Sequence, residues 1–265
     1  MQNNRVAFVP TMGNLHAGHL RLVRHARALA DYVVVSIFVN PMQFGANEDY
    51  KSYPLTYELD KEALMEEDVD LLFAPNVLEM YPQGTGQTAQ VIVPGLNAIL
   101  EGEHRPSHFN GVTTVVAKLF NMVQPDIAVF GEKDFQQLLI IRQMVTDLCL
   151  PVDIEAVETV READGLAMSS RNHYLQPAER ALAPQLHQTL LDVKDILLGG
   201  EADLAGIEQT GLQQLAGAGF EPQYVGIRRA SDLAPPEAGD HDLVVLAAAI
   251  LGSTRLIDNV RVSIT

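Results

Sequence analysis

Three runs of apolar, largely β-branched residues punctuate the first half of the chain: Val6–Pro10, Tyr32–Asn40 and Asp126–Phe130. Their apolar positions are continuous rather than alternating, as expected of parallel strands covered on both faces. A shorter run, Leu71–Ala74, reads as a fourth strand. Helical spacing fills the intervals. Leu15, Leu22, Ala26 and Leu29 share one side of a helix over Leu15–Ala30, and further helices are predicted over Thr56–Glu67, Val112–Val123 and Phe135–Leu148. The last two stop before Pro125 and Pro151, which have no N–H to continue a helix. Strands alternating with helices predict an α/β fold, a doubly wound parallel (Rossmann-like) sheet that binds its ligand beyond the carboxyl ends of the strands.

The texture changes after Pro177. Ala178–Leu198 reads as one long helix stopped by Gly199-Gly200, and Ala202–Ala216 as another. Short strands follow at Pro222–Arg228, Asp242–Leu251 and Thr254–Val262, with turn signals at Pro235-Pro236 and Gly252-Ser253. Two helices and then a small antiparallel sheet predict a smaller C-terminal α+β domain, so the expected division is 1–175 and 176–265.

Composition narrows the partners. With 47% hydrophobic and 20% charged residues the chain can build a globular core, which excludes disordered and coiled-coil readings. Its net charge of −16 repels phosphate backbones, so no nucleic acid is expected as a main partner, although a small anion needs only a few local cations. No apolar run approaches the roughly 20 residues that cross a bilayer, so no membrane partner is expected. The single cysteine, Cys149, forms no intrachain disulfide and points to a reducing, cytoplasmic setting; flanked by Leu148 and Leu150, it reads as a small buried hydrophobe.

Polar residues cluster after the predicted strands. Behind the first lies Met12-Gly13-Asn14-Leu15-His16-Ala17-Gly18-His19, where a helix opens and its N-terminal N–H groups attract phosphate. His16 and His19 are three apart and project from one face, with Gly18 leaving room for a flat ligand. Behind the second strand stand two amides, Asn40 and Gln43, suited to carboxylates and hydroxyls. Behind the third is Gly131-Glu132-Lys133-Asp134, followed by Gln137; Lys133 is a point cation and Asp134 either a ribose acceptor or a helix cap. A fourth segment, Val160 through Asn172, contains an Asp-Gly turn and the donor-rich Met168-Ser169-Ser170-Arg171. Neither a Walker-type loop nor a Gly-x-Gly-x-x-Gly motif follows a strand.

These strings carry a family resemblance. His16-Ala17-Gly18-His19 resembles the HxGH signature of the nucleotidyltransferase superfamily. The runs Pro10–Leu20, Phe38–Gly45, Gly131–Gln137 and Arg161–Asn172, in that order, closely resemble the pantothenate synthetase (pantoate–β-alanine ligase) family. That resemblance implies an ATP- and Mg²⁺-dependent condensation of (R)-pantoate with β-alanine through a pantoyl adenylate, releasing AMP and pyrophosphate, in a cytoplasmic homodimer. It assigns Met12, Gly13, Asn14, Leu15, His16, Ala17, Gly18, His19, Gly131, Glu132, Lys133, Asp134, Val160, Met168, Ser169, Ser170 and Arg171 to ATP. His16, His19, Lys133 and Arg171 become the catalytic residues, with Gln43, Gln137 and Asn40 on substrate and Asp60 a magnesium contact. The C-terminal domain and the segments Gly84–Gln87 and Glu103–Asn110 are the expected covers.

Overall fold

In a computed structural model, which describes residues 4–46 and 48–264, the chain forms two compact units. The first runs through Glu132 and resumes over Gln136–Glu158; the second comprises Lys133–Phe135 and the chain from Thr159 onward. The change of texture expected near residue 175 therefore lies inside the second unit.

The first unit is built on strands β1 (Val6–Thr11), β2 (Tyr32–Ile37), β3 (Leu71–Phe73), β4 (Ile127–Gly131) and β5 (Asp153–Val157). All pair in parallel, in the order β3-β2-β1-β4-β5. Helices α1 (Ala17–Leu29), α2 (Tyr57–Glu66), α3 (Val77–Met80), α4 (Glu101–His104), α5 (His108–Val123) and α6 (Phe135–Asp147) connect them. Alternate residues of each strand enter different cores. Ala7, Val9, Val33, Val35, Ile127 and Val129 pack with Val23 and Ala26 of α1 and Leu64 of α2. Phe8, Val34, Ala128 and Phe130 pack with the apolar faces of α5 and α6. Burial on both faces explains the unbroken apolar runs. Strand order reverses at β1, between β2 and β4, so the loops after β1 and β4 flank the position where such sheets hold ligands.

The second unit contains α7 (Pro177–Leu182), α8 (Gln185–Leu198) and α9 (Leu204–Gly217), followed by the antiparallel sheet β6 (Glu221–Arg229), β7 (Asp242–Leu251) and β8 (Thr254–Ser263) in that order. Leu186, Leu190 and Val193 of α8 and Ile207 and Leu215 of α9 meet Val225, Ile227, Val245 and Val262 in one core. Among the described residues, no helix is long and apolar enough to cross a membrane.

Four expectations need correction. β2 ends at Ile37 rather than Asn40, because Asn40 caps a 3-10 turn over Pro41–Gln43. β5 was not anticipated: Asp153 and Glu155 interrupt its apolar pattern at the sheet edge, where one side chain in two faces water. The long helix expected over Ala178–Leu198 is two helices, since Pro184 lacks the N–H that would carry the first into the second. Cys149 is exposed, in a left-handed turn at φ 51°.

The contact of α5 with the turn after β2 admits only glycine. A Cβ on Gly111 of α5 would lie 2.3 Å from the Met42 carbonyl oxygen and 2.6 Å from the Gln43 nitrogen, both backbone atoms. Gly111→Ala must push the turn off the helix, at a cost of about 1–3 kcal/mol. Thermal unfolding should show the midpoint lowered by about 2 °C or more, and an unchanged midpoint would show that the turn yields freely.

Candidate active site

His16 is the N-cap residue of α1, and the cap is reciprocal. The N–H of Gly18 donates to His16 Nδ1 at 3.2 Å, while the N–H of His16 donates to His19 Nδ1 at 3.3 Å. A backbone N–H can only donate, so both Nδ1 atoms accept and neither carries a proton. The proton of each neutral ring then sits on Nε2. The rings lie 4.1 Å apart between centroids with a 39° tilt. Two imidazoles on one helical turn thus lie side by side, each with its proton on Nε2.

The loop that delivers them is held from below. Gly13 and Asn14 both adopt left-handed backbone, at φ 81° and 50°. Thr11 Oγ1 donates to the Ser36 carbonyl at 2.7 Å and accepts the Gly13 N–H at 3.2 Å. Asp60, in the first turn of α2 and only 3% exposed, accepts the N–H of Asn14 on Oδ2 at 2.8 Å. Its Oδ1 takes the N–H of Leu15 at 2.8 Å and the Thr56 hydroxyl at 3.0 Å. Of the N–H groups expected to be open to phosphate at this helix start, those of Asn14, Leu15, His16 and Gly18 are answered within the chain. The expected magnesium role of Asp60 fits this geometry poorly. A nearly inaccessible carboxyl group receiving three donors has little left for a cation, and the described residues contain no group of three or more His, Cys, Asp or Glu side chains able to hold one.

The two amides after β2 divide their work. Asn40 is 1% exposed and fully used. Its Nδ2 donates to Gln43 Oε1 at 3.1 Å and to the Gly111 carbonyl at 3.0 Å. Its Oδ1 accepts the Met42 N–H at 3.2 Å and the Tyr81 hydroxyl at 2.7 Å. Asn40 thus supports Gln43. Gln43 in turn approaches Met12 after β1, with Nε2 3.1 Å from the thioether sulfur. Gln137, in the first turn of α6, is half-buried and has no hydrogen-bond partner among the described residues. Its neighbour Gln136 is structural, buried against the carbonyls of Leu96 and Ile99 and the N–H of Glu101.

Arg105 and His108 brace the same turn. Arg105 Nη2 and Nε engage Glu48 at 2.5 and 2.8 Å, and Nη1 reaches Glu101 at 3.1 Å. His108 Nδ1–H donates to the Gln43 carbonyl at 2.8 Å, while its Nε2 accepts from Arg105 Nη1 at 3.1 Å. Burial, and then the Arg105 charge, push the His108 pKa down to about 4. Burial would raise the Glu48 carboxyl, but the hydrogen bond and charge of Arg105 outweigh it and hold the group below its ordinary range. The segment Glu103–Asn110, expected as a cover, is anchored at these two residues. Sequence reading missed both, because an Arg and a His in a polar stretch carry no mark of burial.

Gly131 ends β4 and Glu132 follows it in the first unit; the remaining residues expected at ATP belong to the second. Arg161 and Ala167 form an antiparallel bridge, and Gly165 takes φ 93° at the turn between them. The Met168 N–H donates to the Val160 carbonyl, and Ser169 Oγ accepts the Arg171 N–H to cap the short turn Ser170–Tyr174. Beneath the hairpin, Arg161 grips the buried Asp258 of β8 through both oxygens, at 2.6 and 2.9 Å, with His187 Nδ1 3.4 Å away. Burial opposes ionisation of Asp258, but His187 and Arg161 overcome it and keep the carboxyl below its ordinary range. Next to it, Asn259 Nδ2 donates to the Lys133 carbonyl at 3.0 Å, and Lys133 Nζ lies 4.0 Å from Asp134. Arg161, Asp258 and Asn259 were not anticipated as supports. The visible sign was a polar pair inside the apolar run Leu256–Val260.

Comparison with known proteins decides the family. The profile of the family described as Pantoate-beta-alanine ligase matches residues 1–261. The chain belongs to that family. The pantothenate synthetase of Thioalkalivibrio sulfidiphilus is 58% identical over 260 residues, covering 98% of this chain and 91% of the relative. That of Stutzerimonas stutzeri is 56% identical over 263 residues, covering 99% and 92%. The crystal structure of pantothenate synthetase from Thermus thermophilus superposes with a TM-score of 0.92 at 48% identity, covering 97% of this chain and 92% of that one. The pantoate–β-alanine ligase of Francisella tularensis, solved with β-γ ATP and β-alanine, gives 0.83 at 33% identity, covering 98% and 90%. The pantoate–β-alanine ligase fold accordingly places the paired-imidazole cap, Gln43 and Gln137 in one unit, and the hairpin with Lys133 in the other.

The His108 shift fixes a sign. Between about pH 6.5 and 4 the unfolded chain takes up a proton at His108 that the folded chain refuses, so stability falls as the pH drops through this window and is unaffected above it. At about 1.4 kcal/mol per pKa unit, the full effect is roughly 3 kcal/mol. Urea unfolding at pH 7 and pH 4.5 should show the wild-type chain losing more stability on acidification than His108→Gln; equal losses would contradict the assignment.

Proposed function

We infer that this chain is a pantoate–β-alanine ligase that joins (R)-pantoate to β-alanine with cleavage of ATP. The observation that carries the reading is the reciprocal His16–His19 cap at the carboxyl end of β1, in a chain whose whole length matches the ligase family. In the first step a pantoate carboxylate oxygen attacks the α-phosphorus of ATP and the bond to the β,γ-unit breaks. The products are pantoyl adenylate and pyrophosphate. In the second, the amine of β-alanine attacks the acyl carbon, loses a proton, and AMP departs with the electron pair of the acyl–oxygen bond. Neither step needs a nucleophile from the protein. What the chain must supply is alignment and charge stabilisation.

The Nε2–H groups of His16 and His19 suit the negative charge that builds on the phosphate oxygens as the phosphorus is attacked. Carried over from the family, Met12 through His19, Gly131 and Glu132 of the first unit line the ATP site. The same family reading assigns Lys133, Asp134, Val160 and Met168 through Arg171 to ATP, with Lys133 and Arg171 as cations. Gln43 and Gln137 hold pantoate, for which the uncommitted amide of Gln137 and the braced amide of Gln43 are suited. Magnesium enters as the counter-ion of ATP, as the family implies. A cytoplasmic homodimer completes the proposal, in keeping with the family and with a lone cysteine.

Two assays test this reading. The chain should catalyse pantoate-dependent exchange of pyrophosphate into ATP without β-alanine, and ¹⁸O from labelled pantoate should appear in AMP. His19→Ala should lower the exchange rate by about 10²–10³ while the unfolding midpoint is retained. Near-normal exchange by that variant, or AMP without label, would overturn the scheme.

A further inference from the structure

We propose that Asp60 is a positioning residue that sets the two catalytic imidazoles through the backbone of Asn14 and Leu15, and is not a cation ligand. The inference rests on the reading of the α1 start as the ATP site, and it departs from the family-based expectation of a magnesium contact.

The segment between β1 and α1 must turn sharply. Two successive residues in left-handed backbone, Gly13 and Asn14, accomplish the turn, and although Asn tolerates that conformation better than most residues, it is less favourable there than glycine. Some interaction must hold it there. Among the described residues, the carboxyl group that receives the N–H groups of the loop is that of Asp60, which binds those of Asn14 and Leu15 on separate oxygens, each at 2.8 Å. These N–H groups immediately precede His16, so their direction fixes the plane in which the cap begins. Asp60 is itself held by the Thr56 hydroxyl, which also lies 3.4 Å from Asn14 Oδ1. The fit is close: a Cβ on Gly13 would lie 3.0 Å from Asp60 Oδ2 and 3.0 Å from Ile37 Cγ2.

The arrangement has a consequence for the ligand. An N–H directed at Asp60 is not directed at a phosphate. The Asn14 and Leu15 donors are committed to a buried carboxyl group and do not serve the polyphosphate. A negatively charged residue beneath an anion site is then understandable. Asp60 stands behind the loop, and its role is to aim the imidazoles in front of it.

Asp60→Asn separates this from a metal role, because the carboxamide retains one acceptor oxygen but turns an NH₂ donor toward a backbone N–H. In the nucleotide-free full-length protein, amide hydrogen exchange at Asn14 and Leu15 should accelerate about tenfold or more in the variant, while exchange in the β1 and β4 amides is unchanged. The rate of pantoate-dependent ATP–pyrophosphate exchange should fall about tenfold or more in kcat, with the pantoate KM and the half-saturating Mg²⁺ concentration within about twofold of wild type. If Asp60→Asn does not fold, Thr56→Val replaces it: exchange at Leu15 should rise severalfold with the same Mg²⁺ midpoint. Unchanged exchange at Asn14 and Leu15 in the variant measured would overturn the proposal. So would an Mg²⁺ midpoint raised about tenfold with activity recovered at high Mg²⁺. The amide measurement involves no substrate, so it remains decisive even if the wild-type chain shows no pyrophosphate exchange.

Discussion

The constraint on which the active site depends is that two imidazoles close the N-terminus of a single helix. Each ring uses its Nδ1 to satisfy a backbone donor of α1, and each thereby turns its Nε2 edge away from the helix. A helix start normally needs Ser, Thr, Asp or Asn to answer its first N–H groups. Here histidine does the same work and also provides donors. Structural and chemical roles reside in different nitrogens of one ring, so the donors are oriented before any ligand arrives.

Everything around the cap serves to fix its starting point. β1 is buried on both faces and ends at Thr11, whose hydroxyl bridges to the end of β2. Asp60 then captures the next two available N–H groups. The same pattern recurs after β2, where Asn40 holds Gln43 while its other hydrogen-bonding positions are taken by Gly111, Met42 and Tyr81, and after the hairpin of the second unit, where Asp258 and Asn259 of β8 support Arg161 and Lys133. In each case a buried, hydrogen-bonded polar side chain holds a segment that carries a functional candidate. Such supports are costly to remove, since each leaves unanswered donors or acceptors inside the protein.

Much of this was legible in the amino-acid pattern, for reasons that can be named. Val6–Pro10 and Asp126–Phe130 announced buried parallel strands because both faces of the sheet are covered, and histidines three apart announced a shared helical face. The supports were not legible. Asp60 and Asp258 look like any surface acid until the fold buries them, and a carboxyl group receiving backbone N–H groups from 45 positions away leaves no local signature. Asn40 and Gln43 are chemically alike, and the contacts of Asn40 with Gly111 and Tyr81 arise only in the tertiary structure. β5 escaped notice because an edge strand alternates where inner strands do not. The Pro184 break was readable in principle, but the apolar spacing on either side continues through it and masks the interruption.

The central claim is that the cap places both protons on Nε2. Nitrogen-15 NMR of histidine-labelled, nucleotide-free protein at neutral pH measures this directly, because protonated and unprotonated ring nitrogens resonate far apart. The account predicts unprotonated Nδ1 and protonated Nε2 for both His16 and His19, with the His16 signal altered when His19 is replaced. A proton found on Nδ1 of either ring, in a neutral or a charged imidazole, would contradict it.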